Sequence, residues 1–252
     1  MVKLSVCVEA FWKGMPLAEK IRQVKKLGFP GFEFWSWQNK NLQEIIAAKE
    51  ETQLVLAAMC IEPNFALTTE GNEKLLVEGV VNSASVAKKL GCSTLIVTTG
   101  NVVAGESFEQ TRRRVVRKLR AMSAVAAGNG ITLVLEPLNP VVNHPGYWLT
   151  RVGEAVDILE EVNSPALKIL FDIYHQQITE GNILAKIERY LPFIGHFHAA
   201  GVPGRGELVG GELDYRVIFS VINRLPYTRY LGLEFFPVGS DEDALRQVIS
   251  LL

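Results

Sequence analysis

Short apolar runs alternate with longer stretches in which apolar residues recur every three or four positions, and the alternation continues along the whole chain. Runs of mostly β-branched and aliphatic residues suit strands buried on both faces, whereas the longer period lays one stripe of a helix against a core. The runs fall at 2–8, 31–35, 53–59, 93–97, 131–135, 167–171, 193–198 and 230–234. Helices are predicted between and after them from Leu17, Ile21, Val24 and Leu27, from Leu42, Ile45 and Ile46, and from Leu75, Leu76, Val80, Ala87 and Leu90. The next is opened by a Ser107 cap and buries Val115, Leu119, Met122 and Ala126. Four more follow from Val152, Ala155, Val156 and Leu159, from Ile183, Leu184, Ile187 and Leu191, from Val217, Ile218, Val221 and Ile222, and from Ala244, Leu245, Val248 and Leu251. Gly28 and Gly91 stand just past two of these helices, where a left-handed cap is needed. Eight strand–helix pairs with no break in composition predict an α/β protein with one domain over residues 1–252, a single (β/α)₈ barrel.

Two connections depart from this rhythm. Residues 137–149 and the glycine-rich stretch 199–213 far exceed the roughly two to six residues usual after a strand in such units, and are expected to carry function. The strand ends point the same way. The run 131–135 stops at Glu136-Pro137, and the proline holds Glu136 extended while offering no amide to a continuing ladder. The run 167–171 leads into Asp172, the seventh ends at His198, and the eighth leads through Leu233 into Glu234.

In a barrel of this type all strands finish at one face, so Glu136, Asp172, His198 and Glu234 are predicted to converge there. One carboxylate at a strand end is ordinary loop polarity, and one histidine is ordinarily a satisfied rim residue. Four on successive strands favour a site. Three carboxylates and an imidazole packed together repel and lose hydration, at a cost on the order of several kcal/mol that a divalent cation relieves. The oxygen-rich set suits Mg²⁺, Mn²⁺ or Co²⁺ better than a thiolate zinc site. His196, two residues before His198 and on the same strand face, is expected to pack or support more deeply. His175 either reaches a substrate oxygen or caps a loop. Glu33 either binds a substrate hydroxyl or forms a salt bridge, and Trp12, Phe34, Trp35 and Tyr147 either wall the pocket or simply pack.

Charge narrows the partners. The 252 residues contain 26 Lys and Arg against 27 Asp and Glu, a net charge of -1, which creates no field for nucleic acid or an anionic membrane. The local exception is Arg112, Arg113, Arg114, Arg117, Lys118 and Arg120 on one helix. With no aromatics interleaved, a solvated outer face is the expected reading. Three cysteines without a Cys-x-x-Cys pair are expected to be buried thiols. Glu9 interrupts the first apolar run before a signal core develops, and no apolar stretch reaches the roughly 18 residues of a membrane span. The expectation is a cytoplasmic protein acting on a small molecule.

In order along the chain, Leu135-Glu136-Pro137-Leu138-Asn139, Phe171-Asp172-Ile173-Tyr174-His175, Gly195-His196-Phe197-His198 and Gly232-Leu233-Glu234 resemble the xylose-isomerase-like barrel superfamily. The segments 143–149, 203–208 and 211–215 are similar to its hydroxypyruvate isomerase branch. The resemblance implies that Glu136, Asp172, His198 and Glu234 hold one divalent metal ion, Mg²⁺, Mn²⁺ or Co²⁺, and that Glu136 and Glu234 are the catalytic proton-transfer pair. It implies substrate contacts from His175 and Arg205; a keto-acid carboxylate needs a cationic partner, for which the fork of Arg205 is the best candidate and Lys13 a weaker one. Dimers or tetramers are common among such proteins.

The implied reaction interconverts hydroxypyruvate and tartronate semialdehyde through an enediolate. The alternative is a ketose 3-epimerase acting on neutral sugars. His198 resembles the epimerases at the third ligand position, but Val142 stands where they carry a glutamate. Nuclease relatives use a histidine-rich three-zinc cluster, and this chain has four histidines. A non-catalytic sugar-binding protein would be told apart by its failure to bind metal.

Overall fold

The computed structural model describes residues 1–252. Its elements are β1 (Lys3–Cys7), α1 (Leu17–Lys26), β2 (Gly31–Phe34), α2 (Leu42–Thr52), β3 (Val55–Cys60), α3 (Glu73–Leu90), β4 (Thr94–Val97), α4 (Phe108–Gly128) and β5 (Thr132–Leu135). They continue with α5 (Val152–Val162), β6 (Leu167–Asp172), α6 (Ile173–Thr179), α7 (Ile183–Tyr190), β7 (Ile194–Ala199), α8 (Tyr215–Arg224), β8 (Tyr230–Leu233) and α9 (Asp241–Ile249). Each strand pairs in parallel with the next, and β8 pairs with β1, closing the predicted eight-stranded barrel. One core of 71 buried residues joins the barrel to its helical layer.

The helices start where local chemistry predicts. Ser107 and Gln110 form a reciprocal capping box that satisfies two otherwise orphaned amides at the start of α4. Gly91 takes the left-handed conformation after α3, with φ of +63°. Four expectations need correction. A ninth helix, α6, follows β6 directly, and the Asp172 side chain caps it by accepting from the His175 amide at 3.0 Å. Its first four residues, Ile173 to Gln176, are all buried, so no polar face exposes its period. The seventh strand begins at Ile194, because Leu191–Phe193 form a 3₁₀ turn. Leu75, Leu184 and Val217 lie outside the core, with 43%, 36% and 44% exposure, each one position off a buried stripe.

The fourth correction concerns the basic run on α4. Arg114 and Lys118 are buried and point into the layer between α4 and the loop before α3. Arg114 donates to Glu70 at 2.6 Å, to Glu106 at 2.7 and 2.8 Å, and to the Thr68 carbonyl. Lys118 donates to the Leu67 carbonyl at 3.0 Å, to Asn72 Oδ1 at 2.6 Å and to the Thr69 carbonyl. These cations pin a loop. Cys7 and Cys92 are buried free thiols and Cys60 is half-buried. No helix is long and apolar enough to cross a membrane.

Candidate active site

Strand register brings the four strand-end residues together. Asp172 on β6 lies opposite His198 on β7, which lies opposite Gly232 on β8, two residues before Glu234. The Glu234 amide donates to the Ala199 carbonyl at 3.1 Å, and the Glu136 amide to the Val97 carbonyl at 3.0 Å, so both glutamates leave their strands tethered to a neighbour. Tyr147 accepts from the Thr99 amide at 2.7 Å and donates to the Glu136 carbonyl at 3.1 Å. Read from sequence as either a pocket wall or packing, it braces the backbone of Glu136. One donor atom from each of Glu136, Asp172, His198 and Glu234 lies within 4.8 Å of the others, and all four residues are buried.

Beneath this cluster Glu33 organises the histidines. Its side chain points inward from β2, which puts Phe32 and Phe34 on the opposite side of the strand and removes Phe34 from the pocket wall. Glu33 accepts from His196 Nε2 and His198 Nε2, each at 3.0 Å, and from the Ser5 hydroxyl. A Cβ at position 232 would sit 2.6 Å from Glu33 Oε1 and 2.7 Å from His198 Cδ2, so glycine there leaves the space in which carboxylate and imidazole meet. With Nε2 bound to Glu33, the His198 ring presents Nδ1 to the carboxylates, 3.3 Å from Glu234 Oε2 and 3.9 Å from Glu136 Oε1. That Nδ1 is buried and makes no well-directed hydrogen bond. A carboxylate behind an imidazole whose other nitrogen faces an oxygen-rich cluster is the support a metal-binding histidine requires. These donors therefore fit a hard divalent cation.

Their surroundings push the carboxyls of the two glutamates in opposite directions. Burial raises the carboxyl of Glu136 above the ordinary range, and His198 only partly opposes it. Burial acts on Glu234 too, but His198, Arg205 and the indole N–H of Trp35 outweigh it and hold that carboxyl low. For His198, burial is outweighed by Glu234 and Glu33, and its pKa rises.

Arg205 belongs to the same cluster. Its Nη2 bonds Glu234 and lies 3.7 Å from Asp172 Oδ2, while its plane covers Tyr174 and Phe236. Its backbone is left-handed, φ +58°, and its carbonyl accepts from the Phe236 amide at 2.8 Å. A Cβ at Gly201 would lie 2.0 Å from the Glu207 carbonyl oxygen, so the loop that carries Arg205 can fold back only on glycine. His175 is fully buried, with Nε2 3.7 Å from Asp172 Oδ2, and burial, helped by Arg205, lowers its pKa to about 4. Lys13 is exposed, and the Trp12 backbone amide donates to Asp241 Oδ2 at 2.6 Å. Sequence reasoning did not foresee the supporting roles of Trp35, Tyr147 and Asn139. The one available signal was Glu33, a carboxylate within the apolar run Gly31-Phe32-Glu33-Phe34, which a buried strand tolerates only with partners.

An eight-stranded parallel barrel with its acidic cluster at the strand ends defines a class, and residues 21–252 match the xylose isomerase-like TIM barrel family. The chain belongs to that family. It is 32% identical to a Danio rerio protein named "Putative hydroxypyruvate isomerase", over 97% of this chain and 94% of the relative. It is 28% identical to the hydroxypyruvate isomerase of Escherichia coli K12, over 98% of each chain. Among solved structures, one described as an AP endonuclease, family 2, from Brucella melitensis superposes with a TM-score of 0.93 at 27% identity, covering 99% of both chains. Its sequence relatives place the chain in the hydroxypyruvate isomerase branch, as an isomerase.

Proposed function

We propose that this protein is a divalent-metal-dependent isomerase that interconverts hydroxypyruvate and tartronate semialdehyde through an enediolate. The observation that carries the reading is the convergence of Glu136, Asp172, His198 and Glu234, with an unpartnered imidazole nitrogen facing three carboxylates. Those four residues would hold Mg²⁺ or Mn²⁺, with Co²⁺ also suited. The cation supplies Lewis-acid polarisation of the carbonyl and offsets the negative charge of the enediolate.

The chain's residues do the rest. Arg205 turns from Glu234 and Asp172 to the substrate carboxylate, which its guanidinium fork binds with two parallel hydrogen bonds. One of Glu136 and Glu234 takes the proton from the hydroxymethyl carbon and the same or the opposite glutamate returns it to the former carbonyl carbon, while the hydroxyl proton passes across the enediolate to the former carbonyl oxygen. His175 donates to a substrate oxygen.

An epimerase would use the same cation and glutamates on a neutral ketose. Val142 is 61% exposed on the rim, so the loop after β5 offers no carboxylate there for a sugar hydroxyl. Nuclease chemistry is disfavoured by a cluster with one imidazole in four donors and by α4 cations that bind their own glutamates. The test is proton NMR of Mg²⁺-loaded protein in D₂O with hydroxypyruvate and, separately, fructose. Deuterium uptake and an aldehyde-hydrate signal with hydroxypyruvate alone are expected. Exchange with fructose alone would replace this reading with the epimerase.

A further inference from the structure

Asn139, at the start of the long loop after β5, is fully buried, and each of its polar side-chain atoms has partners. Its Oδ1 accepts from the backbone amides of Val142 at 2.9 Å and Asn143 at 3.3 Å. Backbone amides only donate, so they fix which end of the side chain is oxygen. Nδ2 must then face the other way, where it meets His175 Nδ1 at 2.7 Å and donates to Asn143 Oδ1 at 3.1 Å. The backbone amide of Asn139 donates to the same His175 Nδ1 at 3.2 Å. Asn143 Oδ1 is held in turn by the Tyr174 hydroxyl at 2.8 Å.

Two N–H groups aimed at one imidazole nitrogen leave no place for a proton on it. His175 Nδ1 is therefore an acceptor, and the ring's single proton lies on Nε2. That nitrogen is buried, has no hydrogen-bond partner, and lies 3.7 Å from Asp172 Oδ2 at the edge of the four-donor cluster. We propose that Asn139 is a positioning residue that locks His175 as the neutral Nε2–H tautomer, so that the imidazole meets the enediolate oxygen as a hydrogen-bond donor. The identity of that oxygen rests on the proposed isomerase reaction; the tautomer rests on the hydrogen bonds alone. A donor preset towards developing negative charge stabilises it without reorganising during the reaction.

The test is long-range proton–nitrogen correlation on Mg²⁺-loaded protein carrying ¹⁵N-histidine near neutral pH, with the His175 signals identified by their loss in His175→Gln. Wild type is expected to show a pyridine-type Nδ1 and a pyrrole-type Nε2. Asn139→Asp keeps an acceptor for Val142 and Asn143 but replaces the donor at Nδ1 with an acceptor. The carboxylate at 2.7 Å is expected to outweigh the remaining backbone amide at 3.2 Å, to draw the proton to Nδ1 and to lower kcat for hydroxypyruvate about 100-fold, with Mn²⁺ affinity unchanged. A wild-type ring protonated at Nδ1 or on both nitrogens overturns the proposal, as does an Asn139→Asp variant that keeps the Nε2–H tautomer or full kcat. Should that variant not fold, the wild-type spectrum decides the tautomer by itself. An Nε2–H signature in a protein that does not turn over hydroxypyruvate would bring down the substrate reading and leave the tautomer lock standing.

Discussion

Two sets of buried charged side chains, Arg114 and Lys118 between α4 and the loop before α3 and the acidic cluster with its histidines in the barrel mouth, end in opposite states. Around α4, Arg114 and Lys118 find acceptors in carboxylates, an amide oxygen and backbone carbonyls. The hydrogen bonds from Arg114 lower the carboxyls of Glu70 and Glu106. In the mouth, His198 Nδ1, His175 Nε2 and Arg205 Nε are buried without hydrogen-bond partners, and Glu136 and Glu234 are pushed in opposite directions. Buried charge alone therefore does not mark a site. Imidazole and guanidinium nitrogens left without partners among buried carboxylates do, because the fold must be compensated for them elsewhere or by a ligand.

The largest effect that would sharpen the contrast is on rate. Glu136→Gln and Glu234→Gln should each lower kcat for hydroxypyruvate by about 1,000-fold or more, with a cooperative melt retained. Near-normal turnover in either would remove the two-glutamate mechanism. Arg114→Met should do the reverse, lowering the midpoint of a denaturant titration by removing the donor to Glu70, Glu106 and the Thr68 carbonyl while kcat stays at the wild-type value. A fall in kcat at full stability would erase the distinction between the clusters.

A smaller effect should come from metal. Mg²⁺ or Mn²⁺ at about 100 times its dissociation constant should stabilise wild type by about 2.7 kcal/mol, read as a rise in Tm that is absent in Asp172→Asn. The smallest effect is with pH. Glu70 and Glu106 titrate lower in the folded protein than in the unfolded chain, so their contribution is complete above the ordinary carboxylate range and is lost as pH falls. The Tm gap between wild type and Arg114→Met should narrow from about pH 6 to about pH 3. A gap that widens would contradict the ion-pair account.

The barrel was legible because each strand is an apolar run with an abrupt end, and the mouth because Glu136-Pro137, Asp172, His198 and Glu234 mark those ends. Once eight strands are counted, convergence follows from topology. What stayed hidden lies across elements. Glu33 meets His196 from 163 residues away, and no spacing within β2 or β7 encodes that pairing. Arg114 and Lys118 looked solvated because an arginine-rich helix shows its charges in sequence but not the carbonyls of the loop that turns towards it. Helix α6 was concealed by its own burial, and nothing in Leu135-Glu136-Pro137-Leu138-Asn139 signals the four side-chain hydrogen bonds of Asn139.

The most direct test of the proposed metal centre at four strand ends is calorimetric titration of chelator-stripped protein with Mn²⁺. One site is predicted in wild type and in Arg114→Met, and none of comparable affinity in Asp172→Asn or Glu234→Gln. Absence of binding in wild type, or equal binding in Asp172→Asn, would contradict the account.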